Sequence, residues 1–269
     1  MAVLSIKLFS NALHRTTQLT AIVPLEVPYL EMLMNPEAKD KTKPFRSLYL
    51  LHGFFGCHTD WLNGTRIENL AAQHNIAVFC PSCENSFYLD DMVTNTLYEK
   101  YIAEELIEFT RKMFPISKER KDTSIGGLSM GGYGSLRNGL KHSDVFGNII
   151  ALSSGILMER LANGEEQKNN PIMPESFYNH VFGDATKIIG SDIDPKALAS
   201  RVLAEKKDVP NIYMACGTED VASAMNKDFS AYLDQIGMKH IFLEGPGIHD
   251  WNYWDKHIEN ALTWLDGIV

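Results

Sequence analysis

Residues 123–134 read Thr-Ser-Ile-Gly-Gly-Leu-Ser-Met-Gly-Gly-Tyr-Gly, and the organisation of the whole chain follows from them. Thr123–Gly126 is a short strand that runs straight into a glycine-rich turn, and a helix follows through Leu140. Within it, Gly127-Leu128-Ser129-Met130-Gly131 matches G-x-S-x-G in the setting that gives the pattern meaning, strand then sharp turn then helix. A serine on such a turn stands its hydroxyl clear of the sheet. Gly127 and Gly131 keep Cβ atoms out of the crowded space on either side. Gly126, Gly132 and Gly134 let the helix pack closely on neighbouring strands.

Working outward, strands and helices alternate along nearly the whole chain. Ala2–Ser10 and Thr16–Val23 read as an antiparallel pair joined by a turn at Asn11–Arg15. Asn35–Pro44 reads as a surface loop. Ser47–Leu51, Ile76–Cys80, Thr123–Gly126, Asn148–Leu152 and Asn211–Cys216 are short apolar runs of the kind buried on both faces of a parallel sheet, and His240–Leu243 is the last strand. Helical spacing is predicted over Thr65–His74, Thr94–Phe114, Ala222–Ile236 and Asp250–Leu265, with Pro115 ending the second of these. From about Ile156 to Asp208 the pattern changes to short helical patches with prolines and no strand, which reads as an insertion over one end of the sheet, a lid. The expected class is α/β, a mostly parallel central sheet with helices on both faces, in a single domain over residues 1–269 with a lid at about 156–208.

Composition narrows the function. The 269 residues are 45% hydrophobic and 22% charged, with a formal net charge of −9. A surface this acidic repels phosphate backbones, so no nucleic-acid partner is expected. No apolar stretch is long enough to cross a bilayer, and the alternating N-terminus lacks the layout of a secretion signal, so a cytoplasmic protein with no membrane partner is expected. Whether it forms a homo-oligomer is left open by the sequence. Cys80-Pro-Ser-Cys83 has the spacing of a redox pair or half a zinc site. However, Cys80 ends a strand instead of opening a helix, and no second pair completes a metal site. Both read as small semi-buried residues, and no metal is assigned.

A serine hydroxyl needs a base to become nucleophilic, and the base needs an acid to orient it. In this architecture the order is serine, acid, histidine, each at the C-terminal end of a strand. Asn211–Cys216 runs into Gly217-Thr218-Glu219-Asp220, where either carboxylate could serve. Of the nine histidines, His249 lies just beyond the last strand. His52 comes too early in the order, His240 begins a strand at the wrong end of the sheet, and His257 lies inside the final helix. The developing oxyanion requires backbone donors. These are assigned to the N–H of Met130 and the N–H of Phe54, in the loop Leu51-His52-Gly53-Phe54-Phe55-Gly56. The substrate pocket is expected to be walled by Phe54, Trp61 and Tyr88, with parts of the insertion above.

The motif blocks Leu50–Gly56, His58-Thr59-Asp60-Trp61, Gly127–Gly134, Cys216–Asp220 and Gly247-Ile248-His249-Asp250-Trp251 occur in an order that resembles the esterase D and S-formylglutathione hydrolase group. Within that group, small bacterial tributyrin-type carboxylesterases look most similar. The resemblance implies an α/β-hydrolase that cleaves short-chain acyl esters through an acyl-enzyme, with Ser129, Asp220 and His249 as the triad and no cofactor. It chooses Asp220 over Glu219. The chain departs from S-formylglutathione hydrolases in the oxyanion loop, where those typically carry a Ser-Gly-Leu-Thr-Cys type segment and this chain has His-Gly-Phe-Phe-Gly. Formylglutathione thioesters, feruloyl esters and acetyl-xylan are the alternative substrates. A non-catalytic or acyl-transfer relative is the alternative outside hydrolysis.

Overall fold

A computed structural model describes residues 1–25, 44–166, 173–206 and 208–268. The surface loop expected at Asn35–Pro44 lies outside the described residues except for Pro44. Eight strands form one sheet: β1 (Ala2–Ser10), β2 (Arg15–Val23), β3 (Arg46–Leu51), β4 (Ile76–Pro81), β7 (Thr123–Leu128), β8 (Asn148–Leu152), β9 (Asn211–Gly217) and β10 (Ile241–Gly245). Two further strands, β5 (Asp90–Asp91) and β6 (Thr96–Leu97), make a separate small ladder. The sheet order is β1-β2-β4-β3-β7-β8-β9-β10. β2 pairs antiparallel with both β1 and β4, and every other pairing is parallel. The mostly parallel α/β architecture expected from the sequence, an α/β-hydrolase sheet, is what the chain forms.

The alternation of side chains along the central strands divides the core in two. On β3, Tyr49 and Leu51 face a cluster with the helices Leu106–Met113 and Met130–Lys141, while Leu48 and Leu50 face a second cluster with Ile67–Gln73 and Trp251–Ile268. Helices thus cover both faces, which is why β3, β4, β7 and β8 are buried along nearly their whole length. The two edge strands differ, with Val3 and Phe9 exposed on β1 and Ile241 and Leu243 exposed on β10.

Three local differences from the sequence reading stand out, and the first has an identifiable cause. The helix expected from Thr94 starts at Tyr98. Upstream, the Asp91 carboxylate accepts the N–H groups of Val93 at 2.8 Å and Thr94 at 3.3 Å, which favours a turn, and Asp90 Oδ1 accepts the Glu99 N–H at 2.7 Å, which caps the new start. The same helix contains a π turn at Tyr101–Glu105. A short helix at Asp60–Gly64 was not signalled by periodicity.

Between β8 and β9 the described residues form the helices Met158–Ala162, Glu175–Phe182 and Pro195–Ala204 with a 3₁₀ turn at Ala185–Lys187, and no strand. The last helix opens with Asp194 accepting the Lys196 N–H at 3.0 Å and Pro195 in its first turn. It buries Leu198, Ala199 and Val202, so it belongs to the layer covering the sheet. The segment before it is tied down by Arg137, which is buried, ion-paired with Glu99 and 3.1 Å from Asp192, and by the Tyr133 hydroxyl, which donates to Ile193 O at 2.7 Å.

Candidate active site

β7 ends at Leu128, and Ser129 adopts φ 53° and ψ −116° before the helix begins at Met130. A non-glycine residue holds such a conformation only where its surroundings over-determine it, and such outliers cluster at functional sites. Here the surroundings are specific. The Ser129 N–H donates to Leu152 O at 2.9 Å, and its carbonyl accepts from Tyr133 N at 3.0 Å and Gly155 N at 2.9 Å. The flanking glycines are required by close approach. A Cβ on Gly127 would stand 2.5 Å from Gly131 O, and one on Gly131 would stand 2.5 Å from Leu51 O.

The candidate acid and base, Asp220 and His249, follow the neighbouring strands β9 and β10. His249 Nδ1 lies 2.9 Å and 3.0 Å from the two oxygens of the fully buried Asp220 carboxylate. Asp220 Oδ1 also accepts the Ala222 N–H at 2.7 Å, and Ser153 hydrogen-bonds the same carboxylate. Burial alone would raise the Asp220 carboxyl. Hydrogen bonds from His249, Ala222 and Ser153 outweigh it and hold the group below the usual carboxylate range. A carboxylate is acceptor-only, so His249 Nδ1 is the donor in this pair, which turns Nε2 away from Asp220. The neighbouring carboxylate does something else. Glu219 accepts the Gly247 N–H at 2.7 Å and so fastens the loop that carries His249.

A hydroxyl and an indole that sequence reasoning missed complete this side. Trp254 stands edge-on to the His249 ring, with centroids 5.0 Å apart and planes at 89°, and its Nε1 donates to Ser153 Oγ at 3.0 Å. Ser153 is fully buried and sits at φ 48°. The four residues Leu152–Gly155, at the end of β8, are therefore a junction: Leu152 O and Gly155 N hold Ser129, and Ser153 holds both Asp220 and Trp254. One signal was available, because a Ser-Ser-Gly at the C-terminal end of a central strand is where such folds place function. Trp254, five residues past His249 on the following helix, gave none.

The loop after β3 frames the other side of Ser129. A Cβ built on Gly53 would lie 3.6 Å from Ser129 Cβ. Trp61 Nε1 donates to Leu51 O at 2.9 Å, and the Tyr88 hydroxyl donates to His52 O at 2.7 Å. His52 Nε2 accepts the Cys83 N–H at 3.0 Å, so its proton sits on Nδ1 and is given to Gly53 O at 2.7 Å. Burial lowers the His52 pKa, which keeps this neutral tautomer. Among the described residues, the N–H groups of Phe54 and Met130 have no protein acceptor.

This geometry corrects the expected pocket walls. Trp61 and Tyr88 are both fully buried and line neither of the two large cavities, because their polar atoms are spent on the carbonyls of the loop. Phe54 is half-buried and packs edge-on to Phe177 at 5.4 Å and against Phe87 at 6.0 Å. Beyond Phe177 lies a polar cavity of about 560 Å³ bordered by Asn85, Asp90, Asp91 and His180. On the opposite side, past Val221, lies an apolar one of about 570 Å³. Cys80 and Cys83 are buried and free, and burial pushes both thiols up, which leaves them inert as nucleophiles.

The model of the esterase family matches residues 30–265 of this chain. An acetyl esterase of Caldicellulosiruptor saccharolyticus is 41% identical over 268 residues, covering 100% of this chain and 99% of that protein. Two solved structures from Staphylococcus aureus superpose along almost the whole chain. The substrate-bound fluorophosphonate-binding serine hydrolase F is 30% identical with a TM-score of 0.83, covering 98% of both chains. The S-formylglutathione hydrolase FrmB apoenzyme is 31% identical with a TM-score of 0.82, also covering 98% of both. The chain belongs to the esterase family and is a serine carboxylic ester hydrolase on the α/β-hydrolase fold.

Proposed function

We propose that this protein hydrolyses short-chain acyl esters through an acyl-enzyme on Ser129, with His249 as base and Asp220 as its orienting acid. The observation that carries the reading is the shared junction after β8, which anchors the strained Ser129 backbone and the Asp220 carboxylate within four residues. Ser129 Oγ attacks the ester carbonyl while His249 Nε2 takes its proton. The Asp220 carboxylate stabilises the imidazolium, and the N–H groups of Phe54 and Met130 receive the oxyanion. His249 then protonates the departing alcohol, and the same base activates water to release the acid. No cofactor enters these steps.

Short acyl chains are supported by the crowding of Phe54, Phe87 and Phe177 beside the oxyanion loop. The acetyl esterase relative points the same way. The described helices Met158–Ala162, Glu175–Phe182 and Pro195–Ala204, within the insertion at about 156–208, serve as the lid in this reading. Free Cys80 and Cys83, unpaired despite their spacing, support a cytoplasmic setting. The net charge of −9 supports small esters over nucleic acid as partner.

The test is a panel of p-nitrophenyl esters from acetate to decanoate, with methyl ferulate and S-formylglutathione beside it. We expect kcat/KM to be highest between acetate and butyrate and to fall steeply beyond, since a methylene that clashes costs more than the ~1 kcal/mol a fitting one contributes. A preference for decanoate would contradict the pocket assignment. A dominant rate on S-formylglutathione would transfer the function to thioester hydrolysis.

A further inference from the structure

We propose that the apolar cavity past Val221 is the seat of the leaving-group arm, and that it selects esters of uncharged, apolar alcohols over those with an anionic leaving group. The inference rests on the esterase reading above and adds the substrate class on the alcohol side. Its position follows from chain connectivity. Gly155 donates its N–H to the Ser129 carbonyl, and the next residue, Ile156, lines the cavity. Val221, which follows Asp220, lines it from the other side. During turnover the carbonyl oxygen turns toward the Phe54 and Met130 N–H groups on the β3 side. The leaving oxygen must face His249, which protonates it. The arm attached to that oxygen therefore extends toward the Asp220 and His249 side, and Val221, the residue after Asp220, borders this cavity.

The lining gives the chemistry. Ile156, Met158, Ile189, Ala197, Val221 and Met225 form an apolar wall, and Val221 and Ile189 remain 81% and 54% exposed. Burying such surface on a substrate is favourable in proportion to the area covered. The polar end carries two cations, both already engaged. Lys196 Nζ lies 2.5 Å from Glu159 and 2.6 Å from Asp228, and Arg160 Nε lies 2.6 Å from Glu166. Asp194 and Glu165 add further negative charge to the lining. An incoming carboxylate finds no uncommitted cation and meets a surplus of like charge. A glutathione leaving group, which carries two carboxylates and one ammonium, fits this wall poorly.

Two ratios test the proposal on the intact protein. The first compares hexyl acetate with ethyl acetate, which share the acyl group. We expect kcat/KM to be at least tenfold higher for the hexyl ester, and Met225→Trp, which fills the cavity, to bring the ratio near one. The second compares 4-acetoxybenzamide with 4-acetoxybenzoate, each normalised to its hydroxide-catalysed rate. We expect the neutral ester to be favoured at least tenfold, and Asp228→Asn, which releases one partner of Lys196, to raise the relative rate of the carboxylate ester threefold or more. Equal rates for hexyl and ethyl acetate, or a hexyl preference that survives Met225→Trp, overturns the seat. A charge preference absent in the wild type or unmoved by Asp228→Asn overturns the selectivity, and that ratio still decides should Met225→Trp fail to fold. Absence of Ser129-dependent turnover of ethyl acetate would instead overturn the underlying esterase reading.

Discussion

The two sides of Ser129, the loop after β3 and the loops after β9 and β10, are held by different kinds of contact. The loop after β3 is gripped at its carbonyls, by Trp61 on Leu51, Tyr88 on His52, and His52 itself on Gly53. With those oxygens fixed by buried donors, the Phe54 N–H is left without a protein acceptor, while the N–H groups of Phe55 and Gly56 go to Asn85 Oδ1 and Gly53 O. The loops after β9 and β10 are gripped through side chains and N–H groups instead. Asp220 and Glu219 accept from Ala222 and Gly247, while Ser153 and Trp254 steady the His249–Asp220 pair. In the proposed mechanism one side receives charge that appears only in the transition state, and the other holds charge and a proton that are present before it. The first is preorganised dipole, the second preorganised titration, and they should fail differently when broken.

The largest effect belongs to the second side. Asp220→Asn should lower kcat on the order of 10⁴-fold, because an amide favours the wrong imidazole tautomer, and His249→Ala should match it. Glu219→Gln, which only weakens a loop fastening, should cost about tenfold or less. Steady-state kinetics on p-nitrophenyl acetate separates the two carboxylates, and a reversal of their order would reassign the acid. The carbonyl-gripping side comes next. Tyr88→Phe leaves the His52 carbonyl unpaired in a buried place, at about 1–3 kcal/mol of stability. It should also lower kcat by roughly 10- to 100-fold as the oxyanion donors lose alignment, with KM within about twofold. Because the ring contacts no pocket, the acyl-chain profile should not move, and a changed profile would return Tyr88 to the pocket wall.

Smaller effects sharpen the comparison. Ser153→Ala removes one donor from the Asp220 carboxylate and should cost on the order of tenfold in kcat. Trp254→Phe keeps an aromatic ring beside His249 and breaks the same relay, so the double variant should be little worse than Ser153→Ala alone. Full additivity would mean that the indole and the hydroxyl act separately. The smallest effect concerns His257, stacked on Tyr253 with centroids 4.1 Å apart. Burial, with Lys256 nearby, lowers its pKa to about 4. Its folded-state pKa lies below the unfolded value near 6.5, so the unfolded chain binds the proton first and stability falls as pH drops from about 6.5 to about 4. After allowance for solvent screening the loss is about 1 kcal/mol. His257→Phe should flatten that part of the stability curve in urea titrations from pH 7 to 4.5, and an unchanged slope would remove His257 as its source.

What could be read from the sequence follows the same division. The strand series, the turn at Ser129 and the late positions of Asp220 and His249 were legible because each is a local pattern: an apolar run, a glycine-flanked serine, a residue just past a strand. The buried, carbonyl-holding places of Trp61 and Tyr88 were not legible, because an aromatic near a catalytic loop looks the same whether its ring or its polar atom does the work. Only the positions of Leu51 O and His52 O, brought over by chain folding, distinguish the two. Ser153 and Trp254 are separated by 101 residues, so no local pattern joins them. The early end of the Thr94–Phe114 helix prediction failed for a short-range reason, since the carboxylates of Asp90 and Asp91 competed for the backbone N–H groups.

The central claim is that Ser129 is the nucleophile and is activated from the His249 side. It is tested most directly by fluorophosphonate labelling followed by peptide mass analysis. The account requires a single adduct on Ser129 in the wild-type protein, none in Ser129→Ala, and labelling slowed on the order of 10³-fold or more in His249→Ala. An adduct on another residue, or equal labelling rates with and without His249, would contradict it.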